Sequence, residues 1–141
     1  MIIFDGIAYD DIDDEVAFFR LVDIIKTKDI PDHRMTFALE ALGMFGVGFP
    51  DRVGVVKETI TPYLKHKSAI VREGAIYGIA PFIDNDILKT LREMEQNDSS
   101  ITLREVAAEY IDEYNDRLEK EEAKLAKQLR FKYNLELGNK L

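Results

Sequence analysis

The apolar positions of the chain recur mostly at the three- and four-residue spacing of an α-helix, not at the two-residue spacing of a strand. The first series predicts a helix over about residues 14–28, with an apolar stripe formed by Phe18, Leu21, Val22 and Ile25. The second predicts a helix over about residues 33–45, whose apolar side carries Phe37, Ala38, Ala41, Leu42 and Phe45. Similar series follow, so we expect an all-α chain of about six or seven helices with negligible sheet.

Capping and breaking residues divide these series. The apolar segment before Asp10 is expected to cross the first helix or form a small strand. The acidic cluster from Asp10 to Glu15 is typical of a helix start, because carboxylates cap free N–H groups and favour the positive end of the dipole. A calcium loop is the alternative interpretation. It is disfavoured because Gly6 precedes the cluster, whereas such a loop needs a central glycine.

Glycine and proline mark the boundaries in the middle of the chain. Pro31 ends the first helix, and Asp32 can cap the second. Gly46 is the better C-terminal stop for that helix, while Gly43 belongs to its exit or marks close helix packing. Pro62 is expected to bend or restart the next helix. The later apolar stripes are formed by Val53, Val56 and Ile60, by Ala75, Gly78 and Ile79, and by Ile87, Leu88, Leu91 and Met94.

Strong helix formers dominate from Asp116 to Arg130, and no Gly or Pro separates this stretch from the helix predicted from about Ser100. Asp116 and Glu119 nevertheless resemble a capping box. We therefore expect a turn near Asn115, with one long helix as the alternative. The apolar residues after Arg130 are expected either to dock back on the last helix or to contact a partner.

One stretch occurs twice. Residues 68–80 and 100–111 align when Arg72 is placed on Arg104, a spacing of 32 residues. Each copy has a Ser at its start, a Glu after the Arg and an apolar stripe containing a small residue. The aligned stripe positions are Ala75 with Ala107 and Ile79 with Ile111. Self-similarity at this period is typical of stacked helical repeats.

The pattern of a Ser or Asp turn, an apolar-Arg-Glu triplet and a small-residue stripe resembles a HEAT (armadillo-type) repeat. Two copies are clear, at Ser68–Ala80 and Asp98–Ile111, and Asp32–Gly43 is a degenerate third. The resemblance implies a short α-solenoid of antiparallel helix pairs. It divides a single domain, residues 1–141, into an N-terminal cap (1–31), three repeats (32–67, 68–97 and 98–131) and a tail (132–141). A non-repeating helical bundle is the alternative.

The resemblance also assigns roles to the repeated positions. In HEAT-like proteins the Arg of the triplet commonly bonds to turn carboxylates or carbonyls. It therefore implies structural roles for Arg72 and Arg104, with Asp98 as a partner. The same resemblance leads us to expect burial of the aligned stripe positions, Ala75, Ile79, Ala107 and Ile111.

Charge and composition reduce the number of partner classes and compartments that the chain fits. The chain has 27 acidic and 19 basic residues, a net charge of −8, and no cysteine. Binding to nucleic acid or anionic lipid depends on basic residues, so we expect neither as a partner. The start of the chain lacks a basic n-region, and no apolar run reaches membrane-helix length. With the absence of cysteine, these features lead us to expect a cytoplasmic protein.

Candidate chemistry is sparse. His33 and His66 are not at metal-ligand spacing, and no paired carboxylates stand out as a general acid and base. We therefore expect no catalytic residues, no cofactor and no metal, that is, a protein that is not an enzyme. A small HEAT-like enzyme acting on nucleic acid is the alternative from another class.

The function that these features favour is recognition of a basic protein. An inhibitor or immunity-type protein would gather carboxylates on one face, and a generic assembly adaptor, the runner-up, would bind through an apolar patch with Tyr77, Tyr110 or Tyr114 as anchors. The predicted partner-binding residues are Glu73, Tyr77, Glu105, Glu109, Tyr110, Asp112 and Glu113, with Asp51 and Glu58 as further acidic candidates. The sequence leaves the oligomeric state open.

Overall fold

A computed structural model describes residues 3–4, 7–8 and 13–140, with side chains described from residue 13 to 138. Two short strands, β1 (Ile3–Phe4) and β2 (Ile7–Ala8), pair antiparallel. The remaining regular structure in these ranges is helical, as the spacing of apolar residues predicts. The six α-helices are α1 (Asp14–Thr27), α2 (Asp32–Gly48), α3 (Val53–Ile60), α4 (Ala69–Ile79), α5 (Asn85–Asn97) and α6 (Ile101–Lys140). No helix within the described ranges combines the length and the apolar composition of a membrane span.

Side-chain caps begin α1 and α5, whereas α2 has Pro31 at its N-cap and no capping bond, so the cap expected from Asp32 is wrong. Asp13 caps α1, since its Oδ1 accepts a hydrogen bond from the Glu15 N–H at 2.9 Å; Asp10 to Ile12, the rest of that predicted acidic start, lie outside the described residues. Asp84 caps α5 in the same way, through the Ile87 N–H. Ser68 stands at the N-cap of α4, but its hydroxyl makes no capping bond. Instead, its N–H donates to His66 Nδ1.

The core is continuous from α1 to the first half of α6. The four predicted stripe positions Ala75, Ile79, Ala107 and Ile111 are buried. Phe37 departs from the prediction, because it is 62% exposed although its spacing had placed it on the apolar side of α2. Helix α2 is apolar around most of its circumference, so spacing alone did not identify the face that packs.

The closest helix contact joins α2 to α4. A Cβ added at Gly43 would clash with the Gly78 carbonyl oxygen and lie 2.7 Å from the Gly78 Cα. At Gly74 it would lie 2.8 Å from the Thr36 Cα. The Thr36 hydroxyl donates to the Ile70 carbonyl across the same contact at 2.9 Å. Gly43 therefore marks close packing, the alternative to a helix exit, and α2 continues past the predicted stop at Gly46 to Gly48.

A buried arginine joins α4 to the turn between α5 and α6. The Arg72 Nε and Nη2 atoms donate to the two carboxylate oxygens of Asp98 at 3.0 and 2.9 Å. Its Nη1 donates to the carbonyls of His66 and Lys67. Arg104, the aligned residue, donates from Nε to the Asp98 carbonyl. Both arginines therefore bond to this turn, as the resemblance implied, and we call the Arg72–Asp98 pair the turn clamp.

Helix α6 is continuous, and the turn expected near Asn115 is wrong. The sequence there has no helix breaker, and Asp116 pairs with Lys120 one turn later at 3.0 Å, an arrangement that supports a helix interior. Residues 119–138 are exposed throughout. The expectation that the apolar tail docks back on the last helix is therefore wrong for its described residues. We call residues 115–138 the exposed half of α6.

Contacts between helices follow a regular order. Neighbours in the chain pack together, as in α1–α2, α3–α4 and α5–α6. Contacts also join alternate helices, with α2 against α4, α4 against α6, and α1 against α3. As a result α2, α4 and α6 lie side by side, and their outward residues form one surface.

Candidate partner-binding surface

Two tyrosines connect the outward sides of α4 and α6. The Tyr77 hydroxyl donates to Glu73 Oε1 at 2.7 Å, one turn earlier on α4. The Tyr77 ring meets the Tyr110 ring of α6 edge to face, with centroids 5.9 Å apart. Both tyrosines are half-buried, so each has a fixed ring and an accessible side. Such aromatic residues are suited to anchor a protein partner.

Carboxylates from three helices surround these tyrosines. Burial, together with the charge of Glu73, raises the pKa of Glu40 on α2. The hydrogen bond to Glu73, with burial and the charges nearby, raises the pKa of Tyr77 to about 12. Burial and neighbouring carboxylates also raise the pKa of Tyr110. The acidic–aromatic surface, as we call it, comprises Glu40, Glu73, Tyr77, Glu109, Tyr110 and Glu113.

Exposed apolar side chains border this surface. Phe37 precedes Glu40 by three residues on α2, and Met44 follows it by four. Phe37 is 62% exposed and Met44 is 78% exposed, which is unusual for large apolar residues. Ile70, three residues before Glu73 on α4, is also exposed. The combination of charge, tyrosine and flanking apolar area resembles the composition of a protein interface.

Five of the seven predicted binding residues meet here, namely Glu73, Tyr77, Glu109, Tyr110 and Glu113. Glu105 and Asp112 are exposed on α6. At about 100° per residue they are turned about 140° and 160° from Tyr110 around the helix axis, away from Tyr77. Glu105 and Asp112 therefore lie outside the group of side chains around Tyr77 and Tyr110.

The other acidic candidates and the third tyrosine lie elsewhere. Asp51 faces Arg52, with Oδ2 and Nε 3.8 Å apart, and Glu58 lies 3.6 Å from the Lys26 ammonium. These carboxylates belong to the part of the molecule formed by α1 and α3. Tyr114 is half-buried beside Tyr110 on α6, with the Arg117 guanidinium 5.7 Å from its ring centre.

Sequence reasoning missed Glu40. Its signal was present, because Glu40 lies between Phe37 and Met44 as Glu73 lies between Ile70 and Tyr77. Both carboxylates thus follow an apolar residue by three positions and precede another by four. The alignment placed Glu73 on Glu105, but it matched the degenerate copy in α2 only through apolar positions and so did not include Glu40.

Neither histidine is in a ligand cluster. His66 accepts the Ser68 N–H and stacks on Tyr63 with ring centres 6.0 Å apart, and His33 is exposed at the start of α2. Among residues 13–138, no three acidic or histidine side chains are grouped so that they could hold a metal. No family model, curated protein or solved structure shows a significant match to this chain.

Proposed function

We propose that the protein is a non-catalytic binding module that recognises a basic protein through the acidic–aromatic surface. The supporting observation is the gathering of Glu40, Glu73, Glu109 and Glu113 around two tyrosines on neighbouring helices. Burial and the charge of Glu73 raise the pKa of Glu40, so its carboxylate is held at a cost in the free protein. A cationic partner would lower that cost and speed the encounter.

We further infer that the helices form a short HEAT-like solenoid. Three observations support this inference. Alternate helices contact one another in order, and Ala75 and Ala107 of the aligned stripes are buried. Arg72 on α4 bonds to Asp98 in the turn between α5 and α6. Stacked helix pairs present one row of helices as a continuous face, which such proteins commonly use for recognition. In this chain that row is α2, α4 and α6.

The acidic charge of the surface and its aromatic residues indicate the type of partner. A compact acidic surface with aromatic anchors fits an inhibitor of a nucleic-acid-binding protein, since that partner carries a basic active site the inhibitor can cover. We therefore propose an inhibitor or immunity-type role. The generic adaptor differs in its electrostatics, because an adaptor that binds through apolar area would hold its partner at high salt.

The test is capture of partners from the native host at low and high salt, with two charge-reversed variants. One carries Glu109→Lys and Glu113→Lys in the surface; its matched control carries Glu93→Lys and Glu95→Lys on α5. Both pairs are exposed and change the net charge equally. The proposal expects a basic protein that salt releases, retained by the control variant and lost by the surface variant.

Three outcomes would contradict the proposal. Equal loss in both variants would show that only overall charge matters. A neutral or acidic partner that resists salt would favour the adaptor instead. Salt-sensitive binding of nucleic acid by the purified chain would favour the alternative of a nucleic-acid enzyme.

A further inference from the structure

The exposed half of α6 carries an apolar stripe on a helix without tertiary packing. Leu125, Leu129, Tyr133 and Leu137 succeed one another at four-residue intervals. They are 55%, 58%, 60% and 43% exposed. Large apolar side chains in a row are unusual on a solvated helix, and they mark a contact surface.

The stripe continues the buried face of the same helix. Five turns of an α-helix contain about 18 residues. Leu125 therefore lies directly in line with Ala107, and Leu129 with Ile111, both of which are buried in the core. Leu118, half-buried, lies between the two sections. The side of α6 that packs in the body is thus the side that carries the exposed leucines.

The charges along this half are divided into two blocks. Residues 116–122 contain four acidic and two basic side chains. Residues 123–135 contain four basic side chains, Lys124, Lys127, Arg130 and Lys132, and no acidic one. Two such helices side by side in parallel would place like charges together. Laid antiparallel about a point near Lys124, they would place each acidic block against a basic one.

We propose that two copies of the chain associate through the exposed halves of α6, laid antiparallel, with the stripe of Leu125 and Leu129 buried between them. About residue 124, position 115 of one copy is level with position 133 of the other, so 19 residues of each helix, about 28 Å, lie side by side. Glu122 lies in the stripe between Leu118 and Leu125, and in this arrangement it is level with Ala126, within the basic block of the second copy. The acidic–aromatic surface plays no part in this contact.

The second copy also adds packing to a helix that its own chain supports only through helix propensity and surface pairs such as Asp116 with Lys120. An isolated helical segment is marginal in water even with good helix formers. Burial of the leucines against an equivalent helix supplies the packing that the body supplies to the first half of α6.

Light scattering after size exclusion, on the full chain over a wide range of concentration, tests the association. The expected mass is twice the 16.2 kDa of one chain. The variant Leu125→Glu/Leu129→Glu should have half the wild-type mass and an unchanged thermal unfolding of the body. The matched control, Met44→Glu/Val47→Glu, replaces equally exposed apolar residues on α2 and should remain dimeric. A monomeric wild type at every concentration, or a dimeric leucine variant, would overturn the proposal.

Disulfide formation tests the direction, since the natural chain has no cysteine. In the antiparallel arrangement, two copies of residue 115 lie about 27 Å apart along the helix axis, whereas residue 115 of one copy is level with residue 133 of the other. Residues 115 and 133 are 18 residues apart, so both lie on the side of α6 that carries the stripe. The single variants Asn115→Cys and Tyr133→Cys should therefore each fail to cross-link alone, and should form a mixed disulfide dimer when combined. Cross-linking of each variant with itself would show a parallel pair, and no cross-linking in any sample would show contact through another face. Either result would overturn the antiparallel pair.

Discussion

The contact between α2 and α4 and the exposed half of α6 are both regular helix, but they are helical for different reasons. At Gly43 and Gly78 two backbones approach so closely that no side chain fits, so tertiary packing determines the geometry. In residues 115–138 intrinsic helix propensity and pairs such as Asp116 with Lys120 maintain the helix. Equivalent substitutions should therefore have very different effects in the two regions.

The largest difference is expected for a buried charge. Ala75→Asp places a carboxylate where the native side chain is fully buried between helices. We expect a loss of more than about 4 kcal/mol and no cooperative unfolding transition, because the charge has no partner there. Ala123→Asp, the matched change in the exposed half of α6, should alter the free energy of unfolding by less than about 0.5 kcal/mol. Similar melting curves for the two variants would contradict the comparison.

The second difference concerns ion pairs. Arg72→Met leaves the buried Asp98 carboxylate without its bidentate partner, and we expect a loss of about 3–5 kcal/mol by denaturant unfolding. Lys120→Met breaks an exposed pair in the exposed half of α6 and should cost about 0.5 kcal/mol or less. A small effect of Arg72→Met would mean that the turn clamp contributes little.

The pH dependence distinguishes the cause of the Arg72→Met effect. Burial alone would raise the pKa of Asp98, but hydrogen bonds from Arg72 and the Ser100 N–H outweigh it and lower the pKa below its usual 3.8. This carboxylate therefore stabilises the native protein above pH 3.8, and that contribution is lost as the pH falls through the lowered value. Without Arg72, burial should raise the pKa of Asp98, so the difference between the two proteins should shrink on acidification. A constant difference would point to lost packing instead.

A third, smaller difference is expected for glycine. Gly78→Ala forces the α2 and α4 backbones apart, and we expect a cost of about 3 kcal/mol. Gly138→Ala adds a methyl group in open space near the end of α6. Since alanine favours a helix over glycine by up to about 1 kcal/mol, that variant should be unchanged or slightly more helical by circular dichroism. Equal effects would show that the α2–α4 contact tolerates separation.

The smallest effect is expected at Glu40. Burial and the charge of Glu73 raise the pKa of Glu40 above its usual 4.5, so Glu40 binds a proton more tightly in the folded protein than in the unfolded chain. This group's contribution to stability declines as the pH rises through the raised value. Glu40→Gln should therefore stabilise the protein at neutral pH, by about 0.5 kcal/mol or less because the group is partly solvated. Glu121→Gln, in the exposed half of α6, should have no such effect. If Glu40→Gln were destabilising at neutral pH, Glu40 would be supporting the fold.

Several features were predictable because they depend on local sequence. Leu91 and Met94 are buried as their spacing indicated, and Asp98 bonds to Arg72 as the resemblance implied. The outward position of Phe37 was not predictable, because α2 has apolar residues on both its packed and its solvated sides. The continuity at Asn115 was misjudged because Asp116 and Glu119 suit a helix start and a helix interior equally well. The spacing of Glu40 from Phe37 and Met44 was a local signal, but its approach to Glu73 depends on the distance between α2 and α4, which no local pattern contains.

The turn clamp has a consequence for the order in which the molecule comes apart. Arg72 belongs to the first turn of α4, whereas Asp98 belongs to the turn that joins α5 and α6. If α5 and α6 separated from the body, the Arg72 guanidinium and the Asp98 carboxylate would lose the two hydrogen bonds that join them. Partial opening at the C-terminal side is thereby suppressed. Slow amide exchange should extend with similar protection from α4 into α5, so that the two helices behave as one cooperative unit.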